Sequence, residues 1–148
     1  MNPTIIQGGL FNDERGSLAF VNDFDLQPIR RFYTITHHNT AVVRAWQGHQ
    51  KEAKWFYCSK GSFQILSVKI DDWENPSRDL EVISFRLSEN NPRILAVPPG
   101  YASGFKATEK DSTLIVYSDK DLEASKNDDF RFDKNLWYNW EKTGNARD

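Results

Sequence analysis

The sequence predicts an all-β domain, an antiparallel sandwich or barrel, on three observations. Its apolar runs are short and rich in Val, Ile, Phe, Tyr and Trp, the residues that suit a pleated, half-buried surface. Turn-forming residues interrupt these runs at intervals of about ten, the spacing of hairpin-connected strands. Only residues 122–132 carry a helical pattern, so helices contribute little beyond one short segment near the C-terminus.

Taken in chain order, strands are predicted at residues 17–22, 29–35, 42–46, 54–59, 62–70, 80–87, 93–97, 101–107 and 113–118. Gly16 precedes the first of them, and Lys60-Gly61 separates the fourth from the fifth. The remaining breaks fall at Glu74-Asn75-Pro76-Ser77, Asn90-Asn91-Pro92, Pro98-Pro99-Gly100 and Glu109-Lys110-Asp111. Proline fixes φ at such sites, while Gly and Asn permit the positive φ that tight turns need. Between Ser62 and Ile70, Phe63 and Ile65 share one face and Leu66, Val68 and Ile70 the other, which predicts a bulge near Ile65-Leu66. Residues 142–148 are expected to fray.

A chain of 148 residues is one ordinary domain with enough length for a real core. The formal charge of −2, with acidic and basic residues interspersed, argues against a nucleic-acid groove or an anionic-membrane surface, both of which need a basic excess. A small molecule or a protein is the expected partner. Cys58 is the single cysteine, so no intramolecular disulfide can form, and its place in Trp55-Phe56-Tyr57-Cys58 predicts a buried strand thiol. No basic-then-apolar leader and no run near 20 apolar residues appears. The expectation is a soluble cytoplasmic protein.

Four segments carry the chemistry: Phe11-Asn12-Asp13-Glu14-Arg15-Gly16, Arg44-Ala45-Trp46-Gln47-Gly48-His49-Gln50, Pro98-Pro99-Gly100-Tyr101-Ala102-Ser103-Gly104-Phe105, and Asp128-Asp129-Phe130-Arg131-Phe132-Asp133. In this order they resemble the cupins that epimerise or isomerise nucleotide-linked keto sugars, dTDP-4-dehydrorhamnose 3,5-epimerases and dTDP-4-keto-6-deoxyhexose 3,4-ketoisomerases. The first resembles the opening F-x-D-x-R-G, the second the R-G-x-H-A-H-K of the ketoisomerases, the third the P-x-G-F-A-H-G-F of the epimerases, and the fourth the ketoisomerase ending D-Y-I-R-D-Y. The resemblance spans about residues 8–133 and implies a jelly-roll β-barrel, a nucleotide-sugar substrate, and a homodimer that exchanges N-terminal strands.

Where cupins place metal ligands, this chain has Gln47, His49, Lys54 before Gly61, and Ser103. An ammonium at Lys54 repels a divalent cation, and a single imidazole makes no stable site. The resemblance therefore implies chemistry without a metal or other cofactor. Proton removal beside a ketone needs a base on one ring face and positive charge near the developing enolate. The epimerase base falls on Gln47, which cannot take a proton, and the epimerase tyrosine falls near Leu122. His49 matches the second ketoisomerase histidine and is the candidate base, although a lone strand histidine is equally a structural residue. Lys54 matches the lysine near the enolate, and Tyr33 resembles a strand tyrosine that donates a proton or contacts sugar. Arg15 and Arg44 fall where the family binds diphosphate, which suits bidentate guanidinium, and Gln47 and Ser103 are expected to contact substrate.

Trp46, Trp55, Phe56 and Tyr57 are expected mostly in the core, and His37-His38 on a surface loop. Lys106, Tyr117 and Arg131 match no shared catalytic position. The leading function is epimerisation or ketoisomerisation of a dTDP-linked 4-keto-6-deoxyhexose for surface polysaccharide. The alternative is a cupin that binds a nucleotide sugar or carbohydrate without turning it over.

Overall fold

Hairpin turns of Gly, Pro and Asn cut the chain into strands that pair antiparallel throughout. The computed structural model describes residues 1–141; the C-terminal residues expected to fray lie outside that range. The elements are β1 (Thr4–Gln7), β2 (Gly9–Asp13), β3 (Gly16–Phe20), β4 (Arg31–His37), β5 (Val43–His49), β6 (Lys54–Lys60), β7 (Ser62–Lys69), β8 (Val82–Ser88), β9 (Arg93–Val97), β10 (Tyr101–Ala107), β11 (Ser112–Ser118), α1 (Leu122–Lys126) and β12 (Phe130–Arg131). One five-stranded sheet runs β1-β9-β6-β11-β4 and a second β12-β5-β10-β7-β8. They pack face to face as a jelly roll. The turn at Gly61 shows how tightly the connections are drawn: its φ is +72°, and a Cβ there would lie 2.0 Å from Ser112 Oγ.

The core between the sheets alternates as period-2 strands require. Phe56 and Cys58 of β6, Phe63 and Ile65 of β7, Leu95 and Val97 of β9, and Leu114 and Val116 of β11 point into it. Burial pushes the Cys58 thiol up to about 12, in keeping with a structural cysteine. Phe56 and Trp46 are core residues as expected, whereas Trp55 and Tyr57 face outward and are half-buried.

Three expectations are corrected. No bulge forms at Ile65-Leu66, because β7 pairs in continuous register with both β8 and β10. Its outward residues Leu66, Val68 and Ile70 are buried instead under a second aromatic layer that includes Trp73, Phe132, Trp137 and Trp140. The helix predicted over 122–132 stops at Lys126, capped by Asp121 at its start and Asn127 at its end, and the chain then extends to pair β12 with β5. His37 is 2 % exposed, packed edge-on to Phe63 and accepting a hydrogen bond at Nε2 from Arg44 Nε at 3.1 Å. Only His38 is on the surface, beside Asp111 at 3.2 Å.

The strands that the sequence did not announce are short or edge-lying. β1 adds to β9, and β2 pairs with β3 in a hairpin that joins neither large sheet. That hairpin leaves Phe11 and Leu18 more than half exposed.

Candidate active site

Inward side chains of both sheets line an open cleft of about 600 Å³ at one end of the sandwich. Register explains which residues reach it. Residues directly opposite across an antiparallel pair share a face, and Ser103 of β10 pairs with Gln47 of β5 while Phe105 pairs with Arg44. Two steps along β10 therefore match three along β5, a bulge that reverses the facing of the residues before it. Without it Arg44 would point away from Gln47 and His49; with it all three line the cleft. Gly104 makes the bulge fit, since a Cβ there would lie 2.7 Å from that of Ala45.

The facing sheet adds Arg31 and Tyr33 of β4 and Lys54 of β6, while β12 adds Arg131. The Lys54 side chain is buried, and its Nζ donates to Tyr33 Oη at 3.0 Å and to Gln47 Oε1 at 3.3 Å. Gln47 in turn donates from Nε2 to Asp129 Oδ1 at 3.1 Å. Asp129 also takes the Arg131 guanidinium, at 2.7 Å from Nε and 3.2 Å from Nη2, and that pairing holds its carboxyl below the usual carboxylate range. Gln47 is thus a strut between a cation and an anion, and its amide has no role as a base.

His49 is built differently. Its Nδ1 lies 2.6 Å from the carbonyl oxygen of Asp128, and because a carbonyl only accepts, Nδ1 carries the proton. Nε2 is then the free lone pair, and it is buried with no hydrogen-bond partner among the described residues. Burial, and secondarily the Lys54 ammonium, pull the imidazole below its usual value, against the opposing pull of the Asp128 carbonyl, Glu52 and Asp128. The ring is therefore neutral near pH 7. A neutral imidazole with an unpartnered nitrogen at a cleft beside a buried ammonium is equipped to take a proton from carbon while the ammonium receives the resulting negative charge.

A family model described as dTDP-4-dehydrorhamnose 3,5-epimerase matches residues 2–148. The chain belongs to that family. As a member of the epimerase family it is a nucleotide-sugar isomerising enzyme. It is 29 % identical over 110 residues, 70 % of this chain and 68 % of the relative, to the probable low-salt glycan biosynthesis epimerase Agl13 of Haloferax volcanii. Among solved structures, dTDP-4-dehydrorhamnose 3,5-epimerase from Sulfolobus tokodaii superposes with a TM-score of 0.76 at 22 % identity, covering 95 % of this chain and 81 % of that one. A mutant of the 3,4-ketoisomerase QdtA from Thermoanaerobacterium thermosaccharolyticum, in complex with TDP-4-keto-6-deoxyglucose, superposes with a TM-score of 0.68 at 22 % identity, covering 88 % of each chain. At that identity the structures establish the cupin jelly roll. No helix among the described residues is long and apolar enough to cross a membrane.

Of the residues singled out in the sequence, His49, Lys54, Tyr33, Arg44, Gln47 and Ser103 meet in this cleft. Arg15 does not: it sits at the tip of the β2–β3 hairpin, its side chain 82 % exposed and paired with Asp13 at 2.6 Å. Arg131, set aside on sequence, does line the cleft, because β12 pairs Arg131 with Gln47. Lys106 donates to the Trp140 carbonyl and Tyr117 packs on Phe24, both away from the cleft lining.

Sequence reasoning missed Asp128, whose carbonyl holds the His49 ring, and Glu52, whose carboxylate lies next to it in the cleft lining. Asp128 Oδ1 accepts from the Gln50 N–H at 2.8 Å, and Oδ2 from the N–H groups of Lys51 at 2.8 Å and Glu52 at 2.9 Å. The carboxylate thereby fixes the loop that leaves β5 while its own carbonyl sets the imidazole. His49, Glu52 and Asp128 bring potential ligand atoms within 4.8 Å of one another. Those atoms already serve N–H and O–H donors, and the imidazole presents its protonated nitrogen to the cluster. The donor set fits a hydrogen-bonded support better than a divalent cation.

Asp128→Ala would leave three main-chain N–H groups without their acceptor, that of buried Glu52 and those of exposed Gln50 and Lys51, at about 1–3 kcal/mol for the buried bond and less where water can replace the partner. We expect urea unfolding to show a loss of about 3 kcal/mol, partly relieved by water entering the space. A change below about 0.5 kcal/mol would mean that the loop holds itself.

Proposed function

We propose that this enzyme epimerises or ketoisomerises a dTDP-linked 4-keto-6-deoxyhexose used in surface-polysaccharide synthesis, with His49 as the base. The supporting observation is the unpartnered, buried Nε2 of a neutral His49 beside Lys54. In the first step the C–H bond next to the C4 ketone breaks, the proton passes to Nε2, and the electron pair moves into an enolate whose oxygen faces the Lys54 ammonium. Delivery of a proton from solvent water to the opposite face of the same carbon inverts it, and protonated His49 then gives its proton to water. Return to the neighbouring carbon, with an O–H proton exchanged through Tyr33, moves the ketone. Tyr33 is suited to that exchange because its hydroxyl already accepts from Lys54 Nζ.

Arg44 and Ser103 contact the substrate, with Arg44 as a diphosphate ligand kept in place by its bond to buried His37. We place the enzyme in the cytoplasm. It acts as a homodimer in which the β2–β3 hairpin crosses to a second copy and Arg15 completes that copy's diphosphate site. Two features support this arrangement: an isolated two-stranded hairpin is marginal in water, and this one carries exposed Phe11 and Leu18. Sedimentation equilibrium is expected to give a dimer, with Phe11→Asp combined with Leu18→Asp giving a monomer. Arg15→Ala is expected to raise KM about tenfold through loss of a charge-assisted phosphate contact. A wild-type monomer with an unaltered KM in Arg15→Ala would sink the dimeric site.

The function itself is tested by proton NMR of the enzyme in D2O with dTDP-4-keto-6-deoxyglucose. Exchange of C3 or C5 protons is expected, and the product spectrum separates epimerisation from ketoisomerisation. Binding without exchange would leave a non-catalytic nucleotide-sugar cupin, and the absence of both exchange and binding would overturn the dTDP-sugar assignment.

A further inference from the structure

Beside His49, at the buried floor of the cleft, lies a carboxylate that the chemistry above does not use. The Glu52 side chain has no solvent exposure, and its Oε1 is 3.5 Å from His49 Nδ1. Burying a carboxylate is costly unless donors surround it, and here they converge from three elements. Ser118 of β11 donates to Oε2 at 2.6 Å, Ser125 of α1 donates to Oε1, and Arg31 of β4 places Nη2 3.7 Å from Oε2. Arg31 Nη2 also donates to Ser125 Oγ at 2.6 Å, which ties the serine to the same cluster.

We propose that Glu52 is a positioning residue, a buried counter-ion that stabilises the imidazolium formed when His49 Nε2 takes the substrate's proton. The proposal rests on His49 being the base. The hydrogen bond from Nδ1 goes to the Asp128 carbonyl, since 3.5 Å is too long for a good bond to Glu52. What Glu52 offers is charge. While the ring is neutral that charge matters little, but once Nε2 is protonated it faces a cation across 3.5 Å of dry protein, where attraction is stronger than in water.

The charges around the ring make this assignment specific. Lys54 of β6 opposes protonation of His49. Asp129, before β12, is engaged by Arg131 and Gln47, and the Asp128 carboxylate by three N–H groups. Arg31 partly offsets Glu52 from its far side. Glu52 is the carboxylate whose oxygen faces Nδ1, and it counters the lysine that the enolate requires. A cleft that keeps an ammonium near the reacting oxygen needs an anion beside the base, or the base becomes too weak to work.

Glu52→Gln keeps the shape and removes the charge, and two readings of the full-length protein test it. Without substrate, NMR titration of the His49 ring is expected to show its midpoint moved down by about one pH unit. With dTDP-4-keto-6-deoxyglucose, the acid limb of kcat/KM should move down by the same amount. At the same time kcat should fall roughly tenfold and KM hold, the signature of a weakened base rather than lost binding. Should Glu52→Gln fail to fold, Glu52→Asp withdraws the charge by one methylene and should shift both readings the same way by less. An unmoved His49 midpoint in a folded variant overturns the proposal, as does a loss confined to KM. If wild type turns over nothing, the functional assignment fails, and the titration alone decides whether Glu52 sets the proton affinity of His49.

Discussion

His49→Ala will abolish solvent exchange at the carbon next to the ketone while leaving the fold intact. A positioned general base contributes about 10²- to 10⁴-fold, and here nothing replaces it. Gln47 is held between Lys54 and Asp129 and has no usable proton affinity. Tyr33 accepts from Lys54. The expected loss in kcat is therefore about 10³-fold or more. The fold should survive because the Asp128 carboxylate grips main-chain N–H groups rather than the imidazole, so the loop after β5 stays fixed in the variant. In wild type the sign of the pH dependence follows from the depressed His49 value: the base is active when neutral, so kcat/KM rises with pH, and the midpoint of that rise lies below the ordinary histidine value of about 6.5. Exchange that persists in His49→Ala at more than about a tenth of the wild-type rate would place the base elsewhere.

Much of the architecture was legible because it follows from period-2 alternation and from turn chemistry, both of which are local. The strand from Arg93 to Val97 lies between Asn90-Asn91-Pro92 and Pro98-Pro99-Gly100, and that from Tyr101 to Ala107 follows directly; both form with the predicted bounds. The bulge expected at Ile65-Leu66 fails for a nonlocal reason. Leu66 and Val68 alternate normally, and their outward face is covered by aromatics from residues 132–140, which no window around β7 contains. The true bulge in β5 is likewise hidden, since it exists only relative to the register of β10.

The site divides along the same line. His49, Lys54, Gln47 and Ser103 were found because they occupy fixed places in a motif. Glu52 and Asp128 carried no signal as supports of His49, Asp128 falling inside the predicted 122–132 helix, because their roles depend on partners about 70 to 80 positions away. Buried His37 escaped notice for the same reason: its burial comes from Phe63 and Phe105 on the other sheet. The cleft wall is local and the support behind it is tertiary. A carboxylate that steadies a loop or balances a charge therefore leaves little trace in sequence.

Lys54→Met is the second large effect, and it separates two roles that one ammonium plays. Methionine matches the stem in length and removes the charge, so the enolate oxygen loses its principal cation and kcat should fall about 10²- to 10³-fold. The same change lifts the repulsion that Lys54 exerts on the protonated ring. His49 should then titrate higher, and the acid limb of kcat/KM should move to higher pH, opposite in direction to Glu52→Gln. A purely structural lysine would not produce that pairing of a slower reaction with a more basic histidine. Gln47 Oε1 and Tyr33 Oη lose their donor in the variant, at a cost of about 1–2 kcal/mol. Relief from burying an ammonium offsets part of that cost, so the protein should remain folded and the titration measurable. Lys54→Arg keeps the charge and should hold the His49 midpoint near wild type, even where its bulk slows turnover. If Lys54→Met exchanged C3 or C5 protons at the wild-type rate, the enolate charge would have to be met from the Arg44 or Arg131 side of the cleft.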